Sequence, residues 1–568
     1  MNFYKRKNVI MTANIIISVL SALGIAHLLS ASNLVSAVAL IAFPALYLLE
    51  KEVNLRFKFD TSFAAFSFIF SGALFLGRIA QGNIDFSLIT PIYLLFVAKA
   101  VYNAALLIYD KTSNFVLKDC KADNSVKFFF ICYGIIFACW LPYFIASYPG
   151  VLTYDAIKQI NMALGNIPLT DHHPVLHTML IKLFMAIGGG SPALYVIFQM
   201  LALSGVFAFA VTYLRSKGVM SKIFIGITIT YFALNPLHAV YSINIQKDTL
   251  FAAAVTLLTI VLCETVLSKG DALKQPKWLV LLFVSLLLTV FLRNNGPYVV
   301  IILAPVMLWG YKKYLKQLIA VFLVVFIALF VVKNAVYPAL NIEKGSFAES
   351  VAIPLQQISR VVYDEKELTI EQIQTIEKFI SIDKIKSDYK PDCVDPLKSS
   401  LYGEGLDHEA LNENKREFFG LWAELLIKYP GTYIRAYIDE TLGYWYPLYD
   451  TVYISTFNYI FENDLGLENA NFVPSFSKML SKFVFACFEM RFLPVFFSMG
   501  FALFAVLYLL IVCVKRNGYK VAIAFLPVVL IWLSLMVSAP IAYHLRYVYV
   551  MFCTIPLFII LASKKSTK

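Results

Sequence analysis

Apolar runs of roughly 17 to 22 residues recur along the chain, separated by short polar connections. As a helix, each run crosses about 30 Å of hydrocarbon at about 1.5 Å per residue. A bilayer core offers no water to an unpaired backbone, so the pattern predicts an all-α polytopic membrane protein. The runs fall at residues 8–29, 33–49, 61–80, 88–108, 127–147, 191–214, 222–240, 248–267, 277–292, 298–310, 317–337, 492–513, 521–540 and 546–562, about 14 crossings. One more apolar stretch, Val175 to Ile187, is about 13 residues long, too short to cross, and reads as an interfacial or re-entrant helix. Between residues 341 and 490 the pattern changes to acids and lysines mixed with aromatics, long enough for a mainly helical domain. The expected organisation is a four-span segment (1–126), a core membrane region with a long loop at 148–190 (127–340), a water-exposed domain (341–490) and a three-span segment (491–568).

Composition agrees: the 568 residues are 60% hydrophobic and 15% charged, with a mean hydropathy of +0.72. Nucleic acid is not the meaning of the net charge of +12, because the basic residues stand in alternate short connections beside the spans. These hold Lys5, Arg6 and Lys7; Lys51, Arg56 and Lys58; Lys111, Lys118, Lys121 and Lys127; Arg215, Lys217 and Lys222; Lys269, Lys274 and Lys277; Lys312, Lys313 and Lys316; then Lys515, Arg516 and the tail SKKSTK. The positive-inside bias puts them and both termini in the cytoplasm, with residues 148–190 and 341–490 extracytoplasmic, as a multi-pass protein of the cell membrane. The first run has a basic start but no small-residue cleavage site, which predicts an uncleaved span. No CxxC occurs among the eight cysteines, so neither a disulfide framework nor a zinc site is indicated; Cys393 and Cys487 can pair if both are outside.

Ionisable groups concentrate in residues 154–177, YDAIKQINMALGNIPLTDHHPVLH. Asp155 stands a few residues past a span, where desolvation would raise its pKa and suit it to act as a general base. Gln159, one helical turn on, faces the same way. Asp171, His172 and His173 precede Pro174, which marks a helix start; these three also offer ligands to a divalent cation, although contiguous ligands are a weak metal signature. On the same expected face lie Lys247 and Asp248 in NIQKD, Arg293 and Asn294 in LRNNGPY, Gln356, Gln357 and Arg360 in IPLQQISR, and Arg546 and Tyr547 in YHLRY. Ionisable residues at such depth are costly unless used, and Lys and Arg placed there suit a phosphate or pyrophosphate. Tyr444, Trp445 and Tyr446 are read as an anchor at the membrane interface.

The PGxxxxD element ending at Asp155, the His172-His173-Pro174 element and the late Arg546-Tyr547 pair carry a resemblance to the GT-C superfamily of integral membrane glycosyltransferases, of the protein mannosyltransferase and aminoarabinose transferase type. The chain is more closely similar to multi-spanning membrane proteins of Gram-positive bacteria that share the PGxxxxD and HHP pattern. The resemblance covers residues 127–562 and implies a GT-C-like bundle, a donor sugar on a polyprenyl phosphate, and a glycan, lipid or protein acceptor. It also implies Asp155 as the base and Arg546 with Tyr547 at the lipid phosphate. Ala156 departs from the acidic pair of many relatives, which puts a metal-bridging role in doubt. Two other functions compete. A transporter or flippase of lipid-linked saccharides predicts broken helices, internal repeats and charges at the bilayer midplane. A non-catalytic envelope-assembly protein predicts that Asp155→Ala is silent.

Overall fold

The computed structural model describes residues 2–29, 35–114, 125–218, 221–398, 405–449, 452–454, 457–489, 497–538 and 541–563. Lys118, Cys120, Lys121 and the basic tail from 564 lie outside them. The described residues form helices joined by turns and isolated bridges, with no strand among them. Ten of these helices are long and apolar enough to cross a membrane, eleven if Lys222–Leu234 and Pro236–Ile243, bent by 44°, are one span. The bend has a local cause: Pro236 cannot continue the backbone ladder, and the Asn235 side chain accepts from Leu237 N at 3.0 Å to start the second helix.

Of the other expected crossings, Val35–Arg56 carries Glu50, Lys51, Glu52 and Arg56 in its second half. Pro276–Leu292 and Gly296–Gly310 are only 17 and 15 residues long and meet at Arg293. Val175–Ile187 forms as a helix of 13 residues.

Lys247–Leu267 and Leu545–Ser563 run through the centre of the bundle. Their hydroxyls enter without an orphaned donor, because Thr256, Thr259, Thr265 and Thr554 each bond the carbonyl four residues back at 2.7–2.8 Å. Lys312–Ala339 is the opposite case, apolar on nearly every side and at the periphery, as a lipid-facing helix is.

A second, separate core lies within residues 348–433, where Leu355, Ile358, Val361, Phe379, Leu411, Phe418, Leu425 and Tyr433 pack together. Its helices are Ala352–Tyr363, Ile370–Phe379, Ile382–Asp388, Lys415–Lys428 and Pro430–Thr441. The Ile370 helix starts with a capping box between Thr369 and Gln372. After Thr441 the chain returns to the main core, where Tyr444, Ile454, Leu480 and Val484 are buried. Tyr444 and Tyr446 are fully buried and do not form an interface anchor: the Tyr446 ring lies against Gly77, where any Cβ would collide with it. Pro474–Glu489 likewise packs along Val126–Ala146, with Ser477 donating to the Ala146 carbonyl at 3.2 Å. The expected Cys393–Cys487 pair does not form; both are free, Cys393 beside Tyr543.

Candidate active site

Short backbone bridges stitch the ends of distant spans together. Val151 N donates to Ile243 O at 3.0 Å and Ile245 N to Val151 O at 3.1 Å. Asp171 N donates to Glu343 O, Ala542 N to Asp392 O and Tyr453 N to Tyr543 O, each at 2.8 Å. Each satisfies backbone groups of the connections between helices. Together they bring the segments around residues 151, 171, 244, 343, 392 and 543 to one end of the bundle.

On this frame the charged side chains converge. Asp155, in the first turn of Tyr154–Leu164, accepts from Arg546 Nη1 at 2.9 Å, and Arg546 Nη2 donates to the Tyr547 hydroxyl at 3.1 Å. Arg293 pairs with buried Asp248 at 2.8 Å, reaches the Tyr547 carbonyl at 3.5 Å and lies over the Phe251 and Tyr547 rings. Lys247 Nζ is 3.1 Å from His173 Nδ1, which accepts from it, and His173 meets the His172 ring edge-on with centroids 4.5 Å apart. Asn294 Nδ2 donates to the carbonyls of Asp171 and His172 at 3.1 and 3.0 Å. Asp171 Oδ1 takes the Gly345 amide at 2.6 Å, and Gly345 approaches His172 so closely that a Cβ would lie 3.0 Å from the His172 Cα.

Four predicted residues stand elsewhere. Gln159 turns into the interior, where His177 Nδ1 lies 2.8 Å and Thr178 Oγ1 3.2 Å from its Oε1. Tyr195 OH, 2.7 Å from His177 Nε2, carries that network to Gln199, which donates to the carbonyls of Tyr241, Ser242 and Asn244. Gln159 therefore braces the loop. Gln356 donates to Lys390 O at 2.8 Å, and Gln357 accepts from Trp422 Nε1 at 2.7 Å, both inside the second unit. Arg360 is held there by Asp364 at 2.8 Å and Asp439 at 3.0 Å.

In their place the second unit supplies Glu349, 4.0 Å from His172 Nδ1 and 2.7 Å from Lys398 Nζ, and Asp395, 3.4 Å from Lys398. Asp395 is close enough to Arg546 and Tyr547 to shift their charge balance. No motif announced these residues; an acid in SFAES looks like any solvated helix end. Glu440, near Lys398, is fully buried and, among the described residues, has no hydrogen-bond partner for either carboxylate oxygen.

The electrostatics revise the expected base. Burial alone would raise the Asp155 carboxyl, but Arg546, then Lys247, hold it well below the usual carboxylate range. Burial and the nearby Lys247 push His172 down to about 4, and burial takes His173 well below its ordinary value, so both imidazoles are neutral. Burial also holds the Glu440 carboxyl well above its usual range. The suggested cation site does not assemble: Asp171 and His173 have other partners, and among the described residues no three His, Cys, Asp or Glu side chains stand where they would hold a metal.

No curated protein and no solved structure matches the chain. A family profile described as "Family of unknown function (DUF6020)" matches residues 165–568, which takes in His172, His173, Lys247, Arg293, Arg546 and the second unit and begins after Asp155. With well over half of its length matched, the chain belongs to the DUF6020 family.

Proposed function

We propose that the protein is a membrane glycosyltransferase that moves a sugar from a polyprenyl-phosphate donor to a cell-envelope acceptor by an inverting displacement. One observation supports this reading above the others. At the cluster, Arg546 is matched by Asp155 and Arg293 by Asp248, whereas Lys247 has, among the described residues, no carboxylate within ion-pair distance, only the neutral His173. A partly buried ammonium without a counter-ion is costly, and a phosphodiester joining lipid to sugar carries the one negative charge it lacks. Lys247, Arg293 and Arg546 then compensate the second charge that develops as the lipid phosphate departs. The acceptor is a hydroxyl of a glycan, lipid or protein.

The rest of the reading follows from charge bias. Basic connections lie on the cytoplasmic side, about 14 helices cross the membrane, both termini are cytoplasmic, and the cluster and the unit at 348–433 face outward. The lipid tail lies between spans and the second unit caps the sugar.

The test uses the full-length protein in detergent with farnesyl-phosphate-linked glucose, mannose and galactose, following release of farnesyl phosphate. Release from at least one, lost in Lys247→Ala and Arg546→Ala, is the expected result. Unchanged envelope glycans and no accumulated lipid-linked sugar in a strain carrying Asp155→Asn would overturn the proposal. A second reading, a flippase for lipid-linked saccharides, is favoured by the 44° break before Pro236 and by the short helices flanking Arg293. It predicts translocation without release of lipid phosphate.

A further inference from the structure

We infer that the proton of the acceptor hydroxyl goes to His172, oriented by Glu349 from the second unit, and that Asp155 is a positioning residue for Arg546. The inference rests on the transferase reading above and names a base other than the one the Asp155 motif suggests.

Two side chains compete for the role. Asp155 is engaged by a guanidinium at 2.9 Å and has little basicity left to offer. His172 is neutral, and its ring, 29% exposed, is open to an incoming group. Its backbone is fixed by Asn294 at the carbonyl and Gly345 behind the Cα, and its ring leans on His173. Glu349 Oε1 stands 4.0 Å from Nδ1, longer than a hydrogen bond, and Lys398 holds the other oxygen at 2.7 Å. Such contacts commonly tighten only when substrate is bound. Closing this gap fixes the proton on Nδ1 and leaves Nε2 to accept.

The charges around His172 also tie its basicity to the donor. Lys247 and Lys158 disfavour its protonation, whereas Glu349 and Asp155 favour it. A phosphodiester beside Lys247 cancels the strongest of the opposing charges, so donor binding raises the basicity of His172. In the transfer, the acceptor oxygen bonds to the anomeric carbon as its proton passes to Nε2. The bond from that carbon to the phosphate oxygen breaks, its electron pair stays with the phosphate, and a lipid monophosphate leaves. The imidazolium is stabilised by Glu349 until it loses the proton to solvent.

The experiment measures farnesyl phosphate release, with water or a simple alcohol as acceptor, against pH. His172→Ala is expected to lower kcat by about two to three orders of magnitude at a nearly unchanged KM, with partial recovery in added imidazole. Glu349→Gln should lower kcat and move the acidic limb of the profile to lower pH, since it removes a group favouring the imidazolium. Asp155→Asn should raise KM for the donor with no recovery in imidazole. A folded, monodisperse His172→Ala protein with wild-type kcat, or rescue of Asp155→Asn by formate with no effect of either other variant, would overturn the inference while leaving the transferase intact. Absence of release by the wild-type protein from every donor would overturn both.

Discussion

At the scale of single residues, burial decides which acids and bases titrate. His177 is buried between Gln159 and Tyr195, and burial pushes it down to about 3. Its folded value lies below its unfolded value of about 6.5, so the stability tied to it is present above about pH 6.5 and is lost as the pH falls toward 3. The melting temperature in detergent should therefore drop between about pH 6.5 and 4.5, and His177→Gln should make that drop shallower. Glu440 has the opposite sign. Its folded value is raised, so its contribution is present below the unfolded value of about 4.3 and is lost as the pH rises through the folded one. Because the native side chain is the neutral acid, Glu440→Gln should hold or raise the melting temperature at pH 7 and flatten its dependence above about pH 5. A large loss of stability in that variant would show that the carboxylate is ionised and paired.

At the scale of elements, the site depends on how closely the turn after Pro430–Thr441 meets the segment that leads to Arg546. Gly443 packs against Ala542 so tightly that a Cβ would strike its carbonyl, and Tyr444 donates to the neighbouring Ile541 carbonyl. Gly443→Ala should cost about 1–3 kcal/mol by displacing one backbone from the other. It should also weaken donor binding, since Arg546 lies four residues past Ala542; a thermal melt together with the KM for the farnesyl-phosphate sugar checks both. The N-terminal helices are fastened as well, with contacts at both ends of Thr61–Ala80. Arg435 donates to the Ala80 carbonyl, Lys515 pairs with Asp60 at 2.7 Å, and Tyr446 fills the space beside Gly77. These contacts give the first spans a supporting position against the C-terminal helices, beyond the reach of the GT-C resemblance.

At the scale of the whole molecule, sidedness is the expectation to test. Single cysteines introduced at exposed Asn166 and Ile427, on a background without the native cysteines, should react with an impermeant maleimide in intact cells, whereas one at Tyr519 should react only after permeabilisation. The reverse pattern would place the cluster in the cytoplasm. Helical class, the positions of most spans and the short helix at Val175–Ile187 were legible in the sequence, because hydropathy in lipid acts locally, one run at a time. Asp155, Asp171, His172, Lys247, Arg293 and Arg546 could be singled out as polar groups beside the apolar runs, and the fold brings them together. Which of these groups pair was not legible. The Asp155–Arg546 contact, which lowers a carboxyl expected to be raised, joins residues almost 400 positions apart. The arrival of Glu349 and Lys398, the withdrawal of Gln159, Gln356, Gln357 and Arg360 into other networks, and the burial of Tyr444 and Tyr446 were likewise decided by packing alone. Periodicity reports the face a residue occupies, but its protonation and partners depend on distances of a few ångströms between distant segments, which only the folded chain sets.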